Sequence, residues 1–266
     1  FELGKKTYIM GILNVTADSF FDGGKYNSVE KAYEHMKKML SEGAHIIDIG
    51  AQSTRPGHTV ISPEEELEII RQYLPYLANE FDAVISVDTF YPQVAEFALE
   101  NGASIINDVS GTINPEMAEI IKHHRAGWVV MHTGGGDSTS VPEYKNSIID
   151  EVREFFDTSL NEIKKFGIPL SSIALDAGIG FGKNYRHNIE ILKNMDSLKI
   201  KDVALLTALS SKRVVSESVG ASGDDLVYGT IAANTLAVKG GTDIIRVHNV
   251  KENVIASKMA DAILRG

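Results

Sequence analysis

The stretch HIIDIGAQSTRPG, residues 45–57, changes character in its middle. Its first half is a short, continuous apolar run rich in β-branched residues, as in strands covered on both faces. Its second half puts two hydroxyls, an arginine, a proline and a glycine into one short, stiff loop. The same beat of buried strand, polar loop and helix runs along the whole chain. Strands are expected at 7–14, 45–50, 83–89, 104–110, 127–132, 172–178, 204–210 and 243–248.

Helical patterns fill the intervals. SVEKAYEHMKKMLSEG starts with a serine cap at Ser28 and stops at Gly43. SPEEELEIIRQYLPYL has Ser62 as its cap, Pro63 at the first helical position and acids in the first turn. Pro75 is expected to bend this helix or end it early. Further helices are expected at 91–101, 115–124, 146–166, 186–195, 225–239 and 253–265. Eight strands alternating with eight helices indicate one (β/α)8 barrel domain spanning 1–266. A doubly wound open sheet is the alternative. The count of eight favours the barrel, as does a final helix that can close against the first strand. No dinucleotide-binding G-x-G-x-x-G follows the first strand.

Composition narrows the class. In 266 residues, 43% are hydrophobic and 23% charged, as in an ordinary globular protein. No apolar run is long enough to cross a bilayer, so no membrane partner is expected. No signal-peptide pattern is visible, and a start at Phe1 rather than Met leaves room for a few preceding residues. With no cysteine, disulfides and thiolate chemistry are excluded, and a reducing cytoplasm is the expected location. A net charge of −10 argues against general nucleic-acid binding.

In such a barrel, chemistry sits at the carboxyl ends of the strands. Every expected strand ends on polar residues: Asn14, the STRPG loop, Asp88-Thr89, Asn107-Asp108, His132, Asp176, Ser210 to Arg213, and Arg246 to Asn249. Taken singly, an aspartate after a strand can be only the cap of the next helix, and His132 only a hydrogen-bonded structural residue. GIGFGK, 178–183, can be a plain turn. His123, His124 and His187 read as helix surface, the first two with no partner acid nearby, and Gly134 to Gly136 as a mobile loop. Eight polar endings together exceed what capping requires.

Two kinds of group stand out. Arg55, Lys212, Arg246 and His248 suit a phosphate or diphosphate, with Ser53, Thr54 and Arg55 offering hydroxyl, amide and guanidinium donors on one loop. Asp88, Asn107 and Asp176 suit a heterocycle with an amino-amidine edge, such as a pterin or guanine. One mouth that binds both points to a substrate joining the two.

These residues resemble the dihydropteroate synthases of the pterin-binding barrel superfamily. The matching stretches are MGILNVTADSFFDGG, DIGAQSTRPG, SVDT, IINDVSG, LDAGIGFGK and IIRVHNV, spread from residue 10 to residue 250. The resemblance implies condensation of 6-hydroxymethyl-7,8-dihydropterin diphosphate with p-aminobenzoate, giving 7,8-dihydropteroate and diphosphate. It implies a pterin held by Asp88, Asn107, Met131, Asp176, Lys212 and Arg246, of which Asp88, Asp176, Lys212 and Arg246 carry the chemistry. It places the diphosphate at Asn14, Thr54, Arg55, Arg246 and His248, with Mg2+ at Asn14. It places p-aminobenzoate at Phe181 and Ser210, and it implies a homodimer.

The chain departs from the family pattern in several places. NVTPDSF becomes NVTADSF at Ala17, GES becomes AQS at Gln52, DPGIGFGK gains Ala177, and RVHDV becomes RVHNV at Asn249. The usual G-x-SRKS reads ALSSKR, 208–213, which exchanges arginine and serine around Lys212 and replaces a glycine by Ala208. Arg213 is expected either to pair with the p-aminobenzoate carboxylate or to block that pocket. Alternatives are a non-catalytic or altered-substrate pterin-binding homologue and a folate-dependent methyltransferase domain; STRPG and RVH count against the latter. A phosphosugar aldolase would want a Schiff-base lysine within a strand.

Overall fold

A computed structural model describes residues 1–15, 25–52, 60–136 and 139–266. Among them the chain alternates strand and helix: β1 (Tyr8–Asn14), α1 (Lys25–Ser41), β2 (Ile46–Gly50), α2 (Pro63–Glu80), β3 (Val84–Asp88), α3 (Pro92–Glu100), β4 (Ile105–Asp108) and α4 (Pro115–His124). Then follow β5 (Gly127–Met131), α5 (Ile148–Lys165), β6 (Ile173–Asp176), α6 (Tyr185–Lys193) and β7 (Ala204–Ala208). The chain finishes with α7 (Arg213–Val219), α8 (Leu226–Lys239), β8 (Ile244–Val247) and α9 (Val250–Leu264). The eight strands form a closed barrel in sequence order, and β8 pairs with β1 in parallel, Arg246 beside Met10. The fold is the expected (β/α)8 barrel.

Strand side chains alternate between two cores, because successive residues point to opposite faces. Tyr8, Met10, Ile46, Val129, Ala174, Leu206 and Ile244 fill the barrel interior. The intervening residues, Ile9, Ile47, Ile49, Ile85, Val87 and Ile106 among them, pack outward against Met36, Met39, Ile70 and Leu74 of the helices. Each such buried aliphatic side chain contributes about 1.5–3 kcal/mol. The last helix closes on the first strand as expected. Thr7 donates its amide to Asp261 Oδ2 at 2.7 Å and its hydroxyl to Oδ1 at 2.8 Å.

Three expectations are corrected. α1 begins at Lys25, one turn before Ser28, so Ser28 lies inside the helix, buried, rather than capping it; nothing in the residues just before Ser28 forbids a helical turn. α2 does have the Ser62 cap, with a full capping box to Glu65 and Pro63 at its start. However, Pro75 does not end it early: it runs on to Glu80, where Phe81 caps it by donating to Leu77 O. Burial of Ile70, Tyr73, Leu74 and Leu77 on both sides of the proline holds that segment helical. The helices number nine among the described residues, because a short one, α7, starts directly after Lys212. Its seven residues, RVVSESV, are too few to carry a helical period.

Candidate active site

The two-residue alternation decides which strand-end residues face the mouth. Asn14, Asp48, Asp88, Asn107, Met131, Asp176 and Arg246 share the parity of the interior core. Asn14 and Asp88 flank Gly50, where an added Cβ would lie 3.5 Å from Asp88 Cβ and 3.9 Å from Asn14 Oδ1. Asp108 and His132 have the opposite parity and face the helices. Asp108 accepts from Ser110 N at 2.9 Å and from Trp128 Nε1 at 3.3 Å, which makes it a structural acceptor. His132 lies buried with its ring edge-on to Phe155. Burial, reinforced by the Lys183 charge, pushes His132 down to about 3, so its ring is neutral at physiological pH. Strand β5 therefore gives the mouth Met131, not a polar group.

Arg246 is the centre of the interior set. Its Nε donates to Asp48 Oδ2 at 2.6 Å and its Nη2 to Asp88 Oδ2 at 2.7 Å, with 15% of the side chain exposed. Asp48 Oδ2 also accepts from Asn107 Nδ2 at 3.1 Å. Strands β2, β3, β4 and β8 are thus tied by one carboxylate–guanidinium chain. Burial raises Asp88 to about 7; Arg246 opposes that shift, and the neighbouring Asp48 adds to it. Burial alone would lower Arg246, but the attraction of Asp48 and Asp88 outweighs it and the net shift is upward.

The opposite wall comes from β6 and the GIGFGK loop. Asp176 Oδ1 accepts from Gly178 N at 2.7 Å. Burial raises the Asp176 carboxyl, while Lys212 is the strongest of the groups that pull it back. Gly178 has φ 65°, and a Cβ there would run into the His132 carbonyl oxygen, so only glycine lets this loop lie on the end of β5. Lys183 fastens the same contact: its buried ammonium donates to His132 O at 3.0 Å and to Phe181 O at 2.8 Å. Burial lowers Lys183 to about 7. Lys212 is half-buried, donates to Ile179 O and lies 5.1 Å from the Phe181 ring centre. Burial lowers it to about 8 against the pull of Asp176.

Between β7 and β8, the buried Ser210 hydroxyl lies 3.0 Å from His248 Nδ1 and accepts from His248 N at 3.2 Å. Ser211 takes a left-handed φ of 58°, which turns the chain so that Lys212 and Arg213 open α7. Arg213 is 85% exposed and its Nε donates to Glu217 Oε1 at 2.6 Å. A side chain so exposed fills no pocket, and the blocking alternative gains no support from it.

The structure brings Asp88, Asn107, Asp176, Lys212 and Arg246 to one mouth, with Asn14, Met131, Phe181, Ser210 and His248 around it. Thr54 and Arg55, like Ala17, lie outside the described residues. Three buried ionisable groups were missed in the sequence. Asp48 hides in the apolar run HIIDIG, where an acid inside a buried strand was the available signal. Lys183 ends a loop that reads as a plain turn. Glu66 reads as a first-turn acid, yet it is fully buried and takes a hydrogen bond from Gln52 Nε2. A glutamine at 52 supplies the N–H that Glu66 needs, which gives this departure a physical reason. Two histidines are also corrected. His124 Nε2 lies 3.3 Å from Glu96 Oε1, an acid supplied by the neighbouring helix rather than its own. His187 is partly buried, edge-on to Tyr144, because α6 packs its first turn towards the β5 loop.

The mouth of this closed (β/α)8 barrel sets a carboxylate beside a cation on each wall, Asp48 and Asp88 with Arg246 on one and Asp176 with Lys212 on the other, an arrangement suited to a polar heterocycle that carries an anionic group. The sequence profile of the pterin binding enzymes matches residues 10–248, and the chain belongs to that family. Its relatives there include dihydropteroate synthases. That of Clostridium beijerinckii is 38% identical over 267 residues, covering 100% of this chain and 97% of the relative. The crystal structure of the Clostridium difficile dihydropteroate synthase in the presence of pteroic acid superposes with a TM-score of 0.94 at 40% identity, covering 100% of both chains. The Xanthomonas albilineans dihydropteroate synthase with 4-aminobenzoic acid superposes at 0.90, 34% identical, over 99% of this chain and 95% of the other.

Proposed function

We infer that the chain is a dihydropteroate synthase, a transferase that joins 6-hydroxymethyl-7,8-dihydropterin diphosphate to p-aminobenzoate in folate synthesis. The observation that carries this reading is the Arg246 guanidinium held between Asp48 and Asp88 in the same mouth as Asp176 and Lys212. Asp88, Asn107 and Asp176 supply acceptors for the amino-amidine edge of the pterin, and Met131 packs beside it. Lys212 donates to its ring. Arg246 lies against the pterin and, with His248, faces the diphosphate; Thr54 and Arg55 of the STRPG motif are assigned to the diphosphate by their chemistry, as hydroxyl and guanidinium donors. The C–O bond to diphosphate breaks, and the amine nitrogen of p-aminobenzoate forms the new C–N bond and loses a proton. Asp88 and Asp176 stabilise the positive charge that develops on the pterin methylene, and the cations stabilise the departing anion. No strong base is required, because an aromatic amine is already nucleophilic.

Magnesium fits this site as part of the substrate. Among the described residues no cluster of three or more His, Asp or Glu could hold a metal ion. Asn14, exposed at the end of β1, offers one side-chain oxygen. That suits an ion that keeps its waters and arrives on phosphate oxygens. When bound, it adds positive charge to the leaving diphosphate.

p-Aminobenzoate is placed between Phe181 and Ser210, with its carboxylate toward Arg213. The Arg213 nitrogens that Glu217 does not engage are available to that carboxylate. Mixing the protein with the dihydropterin diphosphate, Mg2+ and p-aminobenzoate should release diphosphate only when p-aminobenzoate is present. Pterin binding without turnover would instead favour a non-catalytic homologue. Arg213→Ser should raise KM for p-aminobenzoate about two- to fivefold with kcat unchanged, the scale of an exposed ion pair. An unchanged or lower KM would remove Arg213 from the subsite.

The whole chain is read as one domain acting as a homodimer in the cytoplasm; its lack of cysteine suits a reducing compartment. No described helix is long and apolar enough to cross a membrane. Support for the dimer comes from the flank of α7, α8 and α9, where Tyr228, Leu236, Ile255, Met259 and Ile263 are exposed. Leu192, Val215 and Ala233 line an adjoining groove of about 590 Å³. Five large apolar side chains left exposed on two helices that pack together suit a protein contact. Light scattering should give twice the 29.0 kDa chain mass, and Leu236→Glu should give one chain mass; a monomeric native protein would end this reading.

A further inference from the structure

We propose that Asp48 is a positioning residue that sets how the site reads the heterocycle. This inference rests on the pterin reading of the mouth. Asp48 has no solvent exposure, so it reaches a ligand only through its neighbours. Two donors converge on its Oδ2, Asn107 Nδ2 and Arg246 Nε, and both belong to the candidate pterin set. Oδ1 is buried with no hydrogen-bond partner among the described residues. A carboxylate buried in this way carries a desolvation cost that only its partners offset. Asp48 caps no helix, and its two side-chain partners lie on strands distant in sequence. What it does is hold two other side chains.

The consequence for Asn107 is specific. An asparagine amide left alone can flip, exchanging its acceptor and donor. One N–H committed to Asp48 fixes the flip. The remaining N–H and the carbonyl oxygen then face a ligand in one order only. A heterocycle edge with the complementary order binds, and one with the reversed order meets donor against donor. The same Oδ2 holds the Arg246 guanidinium by its Nε, leaving Nη2 for Asp88. Asp48 therefore aligns the amide that reads the ring edge and the arginine that lies against the ring.

The test is a double-mutant cycle read by calorimetric binding of 6-hydroxymethylpterin, which lacks the diphosphate, with thermal unfolding recorded for each protein. Asp48→Asn removes the charge and lets the Asn107 amide flip. It should weaken binding about tenfold or more, the scale of a lost hydrogen bond to a charged group. In an Asn107→Ala background the same change should cost several-fold less, since the amide it orients is gone. A purely structural Asp48 would lower the unfolding temperature and cost the same fold in both backgrounds. That outcome overturns the inference, as does binding by Asp48→Asn within twofold of the native protein. If Asp48→Asn does not fold, Asp48→Ser, which leaves a hydroxyl and room for water, carries the same cycle and is read in the same way. A native protein that fails to bind the pterin at all overturns the pterin reading and this inference together, whereas native binding with an indifferent Asp48 overturns this inference alone.

Discussion

Replacing Arg246 by methionine should lower kcat/KM about 1,000-fold and destabilise the protein as well. The first effect is the scale of removing a fixed charge from a developing anion in a site shielded from water. The second follows from what is left behind. Asp48 is fully buried and the Asp88 side chain is 11% exposed; both lose their shared partner. Breaking a buried pair from one side costs about 3–5 kcal/mol. Arg246→Lys should restore little, because Nε and Nη2 serve two different carboxylates and an ammonium is a single point charge. A lysine variant within tenfold of native activity would show that charge alone matters.

The same substitution carries a pH signature whose sign can be worked out. Arg246 is the group that holds Asp88 down, so its removal raises that carboxyl above the native value of about 7. A carboxyl whose folded pKa is raised contributes stability that is full below its unfolded pKa, near 3.8, and is lost as pH rises through the folded pKa. The Asp88 part of the Arg246→Met stability deficit should therefore be absent at pH 4 and grow above about pH 7, where the native carboxyl ionises and the variant's does not. His132, depressed to about 3, has the opposite dependence, present above its ordinary value and lost as pH falls through 3. It is the same in both proteins and cancels in the difference. A deficit that is flat from pH 4 to pH 9 would mean that Arg246 does not set the ionisation of Asp88.

The barrel was legible because eight short runs of apolar, β-branched residues recur at one spacing, and burial on both faces leaves few other ways to use them. The mouth was legible where polar residues break those runs at their ends: Asp88, Asn107, Asp176 and Arg246. Asp48 was not, since one acid inside HIIDIG does not interrupt the apolar run, and its partner Arg246 lies nearly the whole chain away. Asp108 and His132 were grouped with the mouth residues because position along a strand was counted without parity. Asn107 and Asp108 are adjacent, yet one turns inward and the other bonds Trp128 behind the barrel. Carrying the period of two from Ile105 would have separated them. Lys183 shows a different limit: its role depends on the β5 and β6 loops lying against each other, a contact between residues 132 and 183 that no local pattern encodes. The exchange of serine and arginine around Lys212 was visible, but the left-handed turn at Ser211 and the helix behind it were needed to see Arg213 in solvent.

Asp176→Asn should cost kcat/KM about 100- to 1,000-fold and move the alkaline limb of its pH profile toward lower pH. The loss reflects a carboxylate that would accept two N–H bonds from the pterin and stabilise the methylene cation, replaced by an amide that does neither in full. The shift in pH follows from Lys212. Burial lowers that lysine to about 8, and Asp176 is the strongest group raising it. In the native enzyme kcat/KM should fall above about pH 8 as Lys212 loses its proton, and below about pH 7 as Asp88 gains one. With Asp176 neutral, the largest support for the Lys212 ammonium is lost, only that of Asp88 remains, and the alkaline limb should move toward the neutral range, narrowing the profile. Lys183, lowered to about 7 and also raised by Asp176, is the competing source of such a limb. The two are separable, because Lys212 points to the Phe181 face of the mouth while Lys183 is spent on two backbone carbonyls. Lys212→Arg should carry the alkaline limb out of range, and Lys183→Met should leave it in place while lowering thermal stability. An alkaline limb that stays near pH 8 in Asp176→Asn would break the electrostatic link between the two walls of the mouth, and with it the assignment of Lys212 as the group that must be charged.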